Sequence, residues 1–330
     1  MPGQDIIVVG ASAGGVEALK QIVAQLPPDL PAAIFAAIHV APSGPRLLPA
    51  ILNASGRLCS EYATDEERIR PGRLYLAPPD HHLLVGREVM RLTRGPRENG
   101  HRPAVDPLFR SAAVAHGPRV IGVVLTGNLD DGTRGLRAVK RCGGISVVQD
   151  PENALYPSMP ASALQNTPVD HCVPLARLPA LLAELAGSPA GPPLRVPTMV
   201  EAESSMDARQ EDEEDLLDRI GTRSSLTCPE CHGALWELKD GNLVNFRCHV
   251  GHAFSPDALF GGHSEDLEAA LWAAVRGFEE SAMIAERIAE RGRASGEDTQ
   301  GQRFAARAQA ARQHAQKLRQ LIDTLPVMAE

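Results

Sequence analysis

VVGASAGG, residues 8–15, is the stretch on which the reading turns. An apolar β-branched run ends in Gly10, Ser12 follows, and Gly14 and Gly15 open the amphipathic stretch VEALKQIVAQL (16–26). The order is strand, tight turn, helix, because glycine tolerates the backbone of a sharp turn while Val and Ile favour an extended, buried segment. Outward from it, DIIVV (5–9), AAIFAAIHV (32–40), RLYLA (73–77), RVIGVVLTG (119–127) and GISVVQ (144–149) read as strands. They are apolar almost throughout, as strands covered on both faces are. VDPLFRSAAVAHG (105–117) and GTRGLRAVKRCGG (132–144) read as further helices, each closed by glycine. The alternation predicts a doubly wound α/β layer with a mainly parallel sheet. HHLLVGREVMRLT (81–93), with alternating apolar positions about Gly86-Arg87, predicts an antiparallel hairpin attached to that sheet.

At 330 residues the chain is long for one domain, and its low aromatic content (4%) leaves Ala, Leu and Val to fill the core, which suits helices packed on a parallel sheet. No apolar run is long enough to cross a bilayer and Ile6–Val9 is too short for a signal-peptide core, so the expectation is a cytoplasmic protein without membrane insertion. The net charge of −8 is local: residues 201–220 hold nine acids against Arg209 and Arg219. The remainder is near neutral, which argues against nucleic acid as a partner.

Composition divides the chain into an α/β unit at 1–186, a flexible acidic linker at 187–221 that begins GSPAGPPLRVP, a cysteine-rich module at 222–262 and a helical hairpin at 263–330. In the hairpin, Ser264 is the expected N-cap, and Leu267, Leu271, Ala274, Phe278, Ala282 and Ile288 form an apolar stripe. Phe304, Ala308, Ala311, Leu318 and Leu321 mark its second helix, and the tail suits a helical partner or self-association. Three of the six cysteines cluster. Cys228-Pro-Glu-Cys231 and Cys248-His-Val-Gly-His252 supply a Cys₃His set suited to a closed, structural Zn²⁺ site in a zinc-ribbon-like unit. His249 and His232 are alternatives, weakened because each adjoins a ligand cysteine.

Gly10-Ala11-Ser12-Ala13-Gly14 has the G-x-S-x-G spacing of a nucleophile elbow, in which a tight turn exposes the hydroxyl beside backbone N–H groups. A phosphate-binding turn competes, although Ser12 stands where the second glycine of G-x-G-x-x-G belongs and no P-loop lysine follows. His39 ends the second strand, and Asp131 lies in TGNLDDG just past the strand VIGVVL. All three therefore emerge at the carboxyl edge of the sheet, where open α/β folds build their sites. Alone, His39 reads as a strand-end histidine and Asp131 as a turn or N-cap residue; together they suit a Ser-His-Asp triad.

VVGASAGGVEAL (8–19), the strand ending in His39, LYLAPPDHHL (74–83), HRPAVDPLFRSAA (101–113), VVLTGNLDDGTRGL (123–136) and ALYPSMPASAL (154–164) occur in the order and spacing of a known family. Over residues 4–186 the chain resembles the catalytic domain of CheB-type chemotaxis protein-glutamate methylesterases. The resemblance implies hydrolysis of glutamyl methyl esters on methylated chemoreceptor-type proteins, with release of methanol, and in many members glutamine deamidation. It puts the nucleophile on Ser12, the general base on His39 and the orienting acid on Asp131, directly before Gly132, with Asp130 as competitor. It implies no cofactor for catalysis, oxyanion donors near Ala13 and in the 127–129 loop, and a cleft lined by His81, His82, Arg102 and AVDPLF (104–109). Met159 and Pro160 would position a helix start nearby.

Two departures stand out. Asn128-Leu129 replaces the family's usual methionine-glycine, which bears on the oxyanion loop. Only four residues precede the first strand, so the receiver domain common ahead of this esterase is not expected and control would come from elsewhere. Two alternatives remain at this stage: a receptor-binding scaffold without catalysis, and a serine esterase or amidase acting outside chemotaxis.

Overall fold

The computed structural model describes residues 3–44, 46–208 and 213–325. Two compact units make up the chain, Met1–Leu259 and Phe260–Glu330.

In the first unit the apolar runs become β1 (Ile6–Ala11), β2 (Ala33–Ile38), β3 (Cys59–Tyr62), β4 (Arg73–Leu76), β5 (His82–Val85), β6 (Met90–Thr93), β7 (Val120–Val124), β8 (Ile145–Gln149) and β9 (His171–Val173). Seven of them pair in the order β3-β4-β2-β1-β7-β8-β9, every neighbour parallel, so the doubly wound reading holds. Helices α1 (Gly15–Gln25), α2 (Leu48–Ser55), α3 (Val105–His116), α4 (Thr133–Arg141), α5 (Ser158–Asn166) and α6 (Leu178–Ala186) cover it. Side chains alternate between two buried layers because the strand period is two. Ile6, Val8 and Phe35 point into the layer that holds Leu108, Phe109 and Leu136; Ile7, Val9 and Ile34 point into that of Leu19, Ile22 and Leu182. β3 and β9 escape a reading based on apolar runs because both are short, partly exposed edge strands. The expected hairpin forms as β5–β6, but as a separate two-stranded sheet rather than part of the large one. The Ser111 hydroxyl of α3 accepts the Val85 N–H at 3.0 Å and ties it down.

Residues 187–221 are not a free linker, in contrast to the sequence expectation. They contain α7 (Thr198–Asp207) and α8 (Glu213–Ile220), while 209–212 of the acidic run lie outside the described residues. Val200, Ala202 and Met206 are buried, and two of the acids are structural. Glu203 accepts from Arg134 at 2.8 Å through both oxygens. Asp207 accepts from Arg110 at 2.7 and 2.9 Å and from Arg247 at 2.9 Å, and both arginines also bond to Glu98. Two cations thus face two anions in the interior. Composition alone misses this because an acid counted as solvated becomes a core residue once a cation is delivered by a distant element.

Removing one member strands the others without water. Arg247→Met is expected to destabilise this unit by about 3–5 kcal/mol, measured as a shift of the urea midpoint against wild type. A near-neutral result would mean that the pair is not desolvated in solution.

The cysteine-rich stretch forms β10 (Thr222–Thr227), β11 (Ala234–Asp240), β12 (Leu243–Cys248) and β13 (Ala253–Phe254), an antiparallel four-stranded sheet. Next come α9 (Pro256–Ala294) and α10 (Asp298–Ile322). The helix begins earlier than Ser264: Ser255 is its cap, accepting the Ala258 N–H on Oγ at 3.1 Å. In the second unit a hairpin is present, and its buried seam is Val275, Ala282, Ala285 and Ala289 against Ala308 and Ala315. Leu267, assigned to the stripe from sequence, is 52% exposed, because α9 outruns the shorter α10. Among the described residues no helix is long and apolar enough to cross a membrane.

Candidate functional site: a serine, a histidine and a buried acid, with a cysteine cluster nearby

Ser12 leaves the end of β1 on a turn whose next residues enter α1 through Gly14 in the left-handed conformation (φ 75°). Its own N–H donates to the Thr126 carbonyl at 3.0 Å, which pins the turn to the end of β7. Two glycines are there because backbone and side chain approach too closely for anything else. A Cβ on Gly10 would stand 2.2 Å from Val105 Cγ1, and one on Gly127 would stand 2.1 Å from Met159 Sδ and 2.8 Å from Ser12 Cβ. The elbow is therefore packed from both neighbours.

β2 delivers His39 alongside, its N–H donating to the Ala11 carbonyl at 3.2 Å. His39 Nδ1 is 3.0 Å from Ser12 Oγ, and Nε2 is 2.7 Å from Asp131 Oδ2. A carboxylate only accepts, so Nε2 carries the proton and Nδ1 is left bare toward the hydroxyl. This ring presents its nitrogens in the opposite sense to the chymotrypsin arrangement, where Nε2 faces serine.

Asp131 is 2% exposed in its side chain, and what holds it is a helix end. Oδ2 also accepts the Val105 N–H at 2.7 Å, while Oδ1 accepts the Asp106 N–H at 3.2 Å and the Gly132 N–H at 2.9 Å. Ala104, the N-cap of α3, has no side-chain acceptor to offer, so Asp131 supplies the missing one across the fold. Burial alone would raise its carboxyl; the His39 hydrogen bond and charge and the Val105 N–H outweigh that and hold it down at about 2. Asp130 does something else: Ser255 Oγ donates to it at 2.8 Å, and burial beside Asp131 pushes it up to about 6.

The sequence pattern gives His101 no role of its own, yet its ring stacks on His39 with centroids 3.7 Å apart and planes 16° apart. Burial, then the neighbouring His39, lowers it to about 4. Asn99 Nδ2 reaches Asp131 Oδ1 at 3.5 Å. No spacing in the sequence ties residues 99–101 to His39; only the fold does. His82 is spent on structure, taking the Ala104 N–H on Nδ1 and donating from Nε2 to the Pro96 carbonyl. Arg102 pairs with Asp80 and donates to the Gly95 carbonyl, and His81 bonds the Pro79 carbonyl. In the 127–129 loop the Gly127 N–H already donates to the Tyr156 carbonyl at 3.0 Å, so it is not free for a substrate. Leu129 takes a left-handed backbone (φ 59°) and is 41% exposed.

A serine, a base and a helix-held acid in hydrogen-bond series form the arrangement used for nucleophilic acyl transfer. Residues 7–182 match the family model described as CheB methylesterase. The chain belongs to the CheB methylesterase family. The domain is similar to the crystal structure of the Thermotoga maritima CheB methylesterase catalytic domain, with a TM-score of 0.54 and 33% identity over 56% of this chain and 100% of that one. Curated relatives named protein-glutamate methylesterase/protein-glutamine glutaminase include one from Burkholderia lata, 39% identical over 53% of this chain and 49% of its own length. Another, from Pseudomonas aeruginosa, is 38% identical over 56% and 53%. The chain thus spans about half the length of these CheB relatives, whereas a putative enzyme of that name from Leptospira interrogans, 36% identical, is covered over 94%.

Outside the CheB match, Cys228, Cys231, Cys248 and His252 bring their ligand atoms within 4.8 Å of one another. Cys231 Sγ to Cys248 Sγ is 3.7 Å, and Cys248 Sγ to His252 Nδ1 is 3.5 Å. A tetrahedral ion with bonds of about 2.3 Å to sulfur and about 2.05 Å to nitrogen requires edges of about 3.8 and about 3.5 Å. These two separations match the edges of such a site. His249 is turned aside, its ring close to Gly233, where a Cβ would stand 2.6 Å from Cε1.

Proposed function

We propose that the chain hydrolyses glutamyl methyl esters on methylated chemoreceptor-type proteins, releasing methanol, and deamidates glutamine by the same route. The observation that carries this reading is the unbroken series Ser12 Oγ, His39, Asp131 at 3.0 and 2.7 Å. Ser12 Oγ attacks the ester carbonyl as bare Nδ1 of His39 takes its proton. The resulting imidazolium faces an acid that stays ionised down to about pH 2, and then returns the proton to the departing methanol. Water, deprotonated the same way, cleaves the acyl-enzyme. The oxyanion is met by backbone N–H groups at the Ala13 turn, at the start of α1, where the helix dipole favours negative charge. The names of the CheB relatives support the substrate class.

The test is methanol release from receptor-rich membranes carrying methyl esters. Turnover on these and on a small acyl ester is expected. Turnover of the small ester alone would remove the receptor from the reading and leave the chemistry.

We assign structural zinc to Cys228, Cys231, Cys248 and His252, supported by the clustering of their ligand atoms within 4.8 Å and by two separations that match tetrahedral edges, with four protein donors and no open position for water. The purified chain is expected to hold one zinc, and Cys248→Ser to lose it and lower the melting temperature. A metal-free wild type that melts as before would count against the assignment. Cys59, Cys142 and Cys172 are unpaired thiols, which fits the reducing cytoplasm. On the hairpin, the exposed Leu267, Trp272, Met283 and Ile284 support a helical partner or self-association.

A further inference from the structure

Asn99 joins the cysteine-rich module to the serine site. Its N–H donates to the Ala253 carbonyl at 2.7 Å, its Oδ1 accepts the Ser255 N–H at 2.8 Å, and its Nδ2 lies 3.5 Å from Asp131 Oδ1. The Ala253 N–H returns to the Arg97 carbonyl at 3.2 Å, and Ser255 Oγ donates to Asp130 at 2.8 Å. Ala253 directly follows the donor His252, and its strand pairs with the one that ends in Cys248, whose N–H donates to the His252 carbonyl at 3.0 Å. The turn held in this way also carries His101, stacked on His39. The links from Cys248 and His252 to the acid and base run through buried or half-buried residues within one compact unit, the longest being the 3.5 Å from Asn99 Nδ2 to Asp131 Oδ1.

Three thiols and an imidazole at these separations have little to hold them together without an ion, so the 248–255 segment depends on the metal for its position. A misplacement of about 1 Å in a reacting group costs up to about 100-fold in rate. We propose that metal held by Cys228, Cys231, Cys248 and His252 sets the reactivity of Ser12, by fixing the 252–255 segment that, through Asn99 and Ser255, holds Asp130, Asp131 and the turn against His39. Asn99 and Ser255 are positioning residues in this scheme. It rests on Ser12 being the nucleophile, and the experiment separates the two ideas.

The full chain is compared zinc-loaded and stripped by a chelator, reading the rate at which a fluorophosphonate probe labels Ser12 and, in parallel, kcat and KM on a small acyl ester. Stripping is expected to slow labelling about tenfold, with recovery on adding zinc. Loaded Asn99→Ala and Ser255→Ala, each still holding one zinc, are expected to lose about tenfold in kcat at unchanged KM, and to lose less than about twofold more on stripping. Loaded variants that react like wild type overturn the proposal, even where the stripped protein is slow, since unfolding then accounts for its loss. A stripped protein with free thiols and undiminished labelling overturns it equally. A loaded wild type whose Ser12 does not label at all removes the nucleophile reading, and the coupling with it.

Discussion

Ser12→Ala is expected to lower methanol release by about 10⁶-fold while leaving the melting temperature close to that of wild type. The variant keeps the turn, because the contacts that shape it are the Ser12 N–H to the Thr126 carbonyl and the close approach of Gly127 and Met159, none of which uses the hydroxyl. It loses the hydroxyl with which the proposed mechanism forms the acyl-enzyme. What remains is the smaller rate enhancement that bound substrate and oxyanion donors give without a nucleophile. Release measured on methylated receptor membranes at matched zinc content decides it. A loss of tenfold or less would mean that another group attacks, and the proposed chemistry would fall.

Asp131→Asn is the second large effect, about 10⁴-fold in kcat. An amide Nδ2 facing Nε2 of His39 forces the imidazole proton onto Nδ1, the nitrogen directed at Ser12 Oγ, and the base is then protonated where it has to accept. The remaining amide oxygen cannot satisfy the Val105, Asp106 and Gly132 N–H groups as well as two carboxylate oxygens do, so the start of α3 loosens too. The stability effect has a definite pH signature. Asp131 is held down at about 2, below its ordinary value of 3.8. Its contribution to wild-type stability is complete above about pH 4 and lost as pH falls toward about 2. The asparagine variant lacks that contribution, so its stability difference from wild type is expected to shrink across the same interval. A difference that persists unchanged at pH 2 would show that the carboxylate is not held ionised by its partners. Asp130→Asn, by contrast, leaves the His39 contact untouched, since Asp130 bonds Ser255.

Local pattern was enough for much of the fold. β1 with its glycine-framed turn, the buried parallel strands and the 105–117 and 132–144 helices are written in apolar runs and glycine positions, since period and turn geometry are local properties. The same is true of Cys228, Cys231, Cys248 and His252, whose spacing names a four-donor set before any coordinate is known. Ser12, His39 and Asp131 were nameable because each lies at the end of an apolar strand or just past it. Asp131 was preferred over Asp130 only through the resemblance, which sets the acid directly before glycine; the physical reason is tertiary, because the start of α3 takes Asp131 as its acceptor. The same limit explains why residues 198–207 and 213–220 read as solvated linker and fold as helices. Glu203 and Asp207 are buried only because Arg110, Arg134 and Arg247 arrive from elsewhere, and no window of sequence contains both partners. Asn99, His101 and Ser255 gained their positions in the same way. Short-range order follows from the residues in sequence, whereas partners for buried charge and for ring faces exist only after the chain has closed on itself.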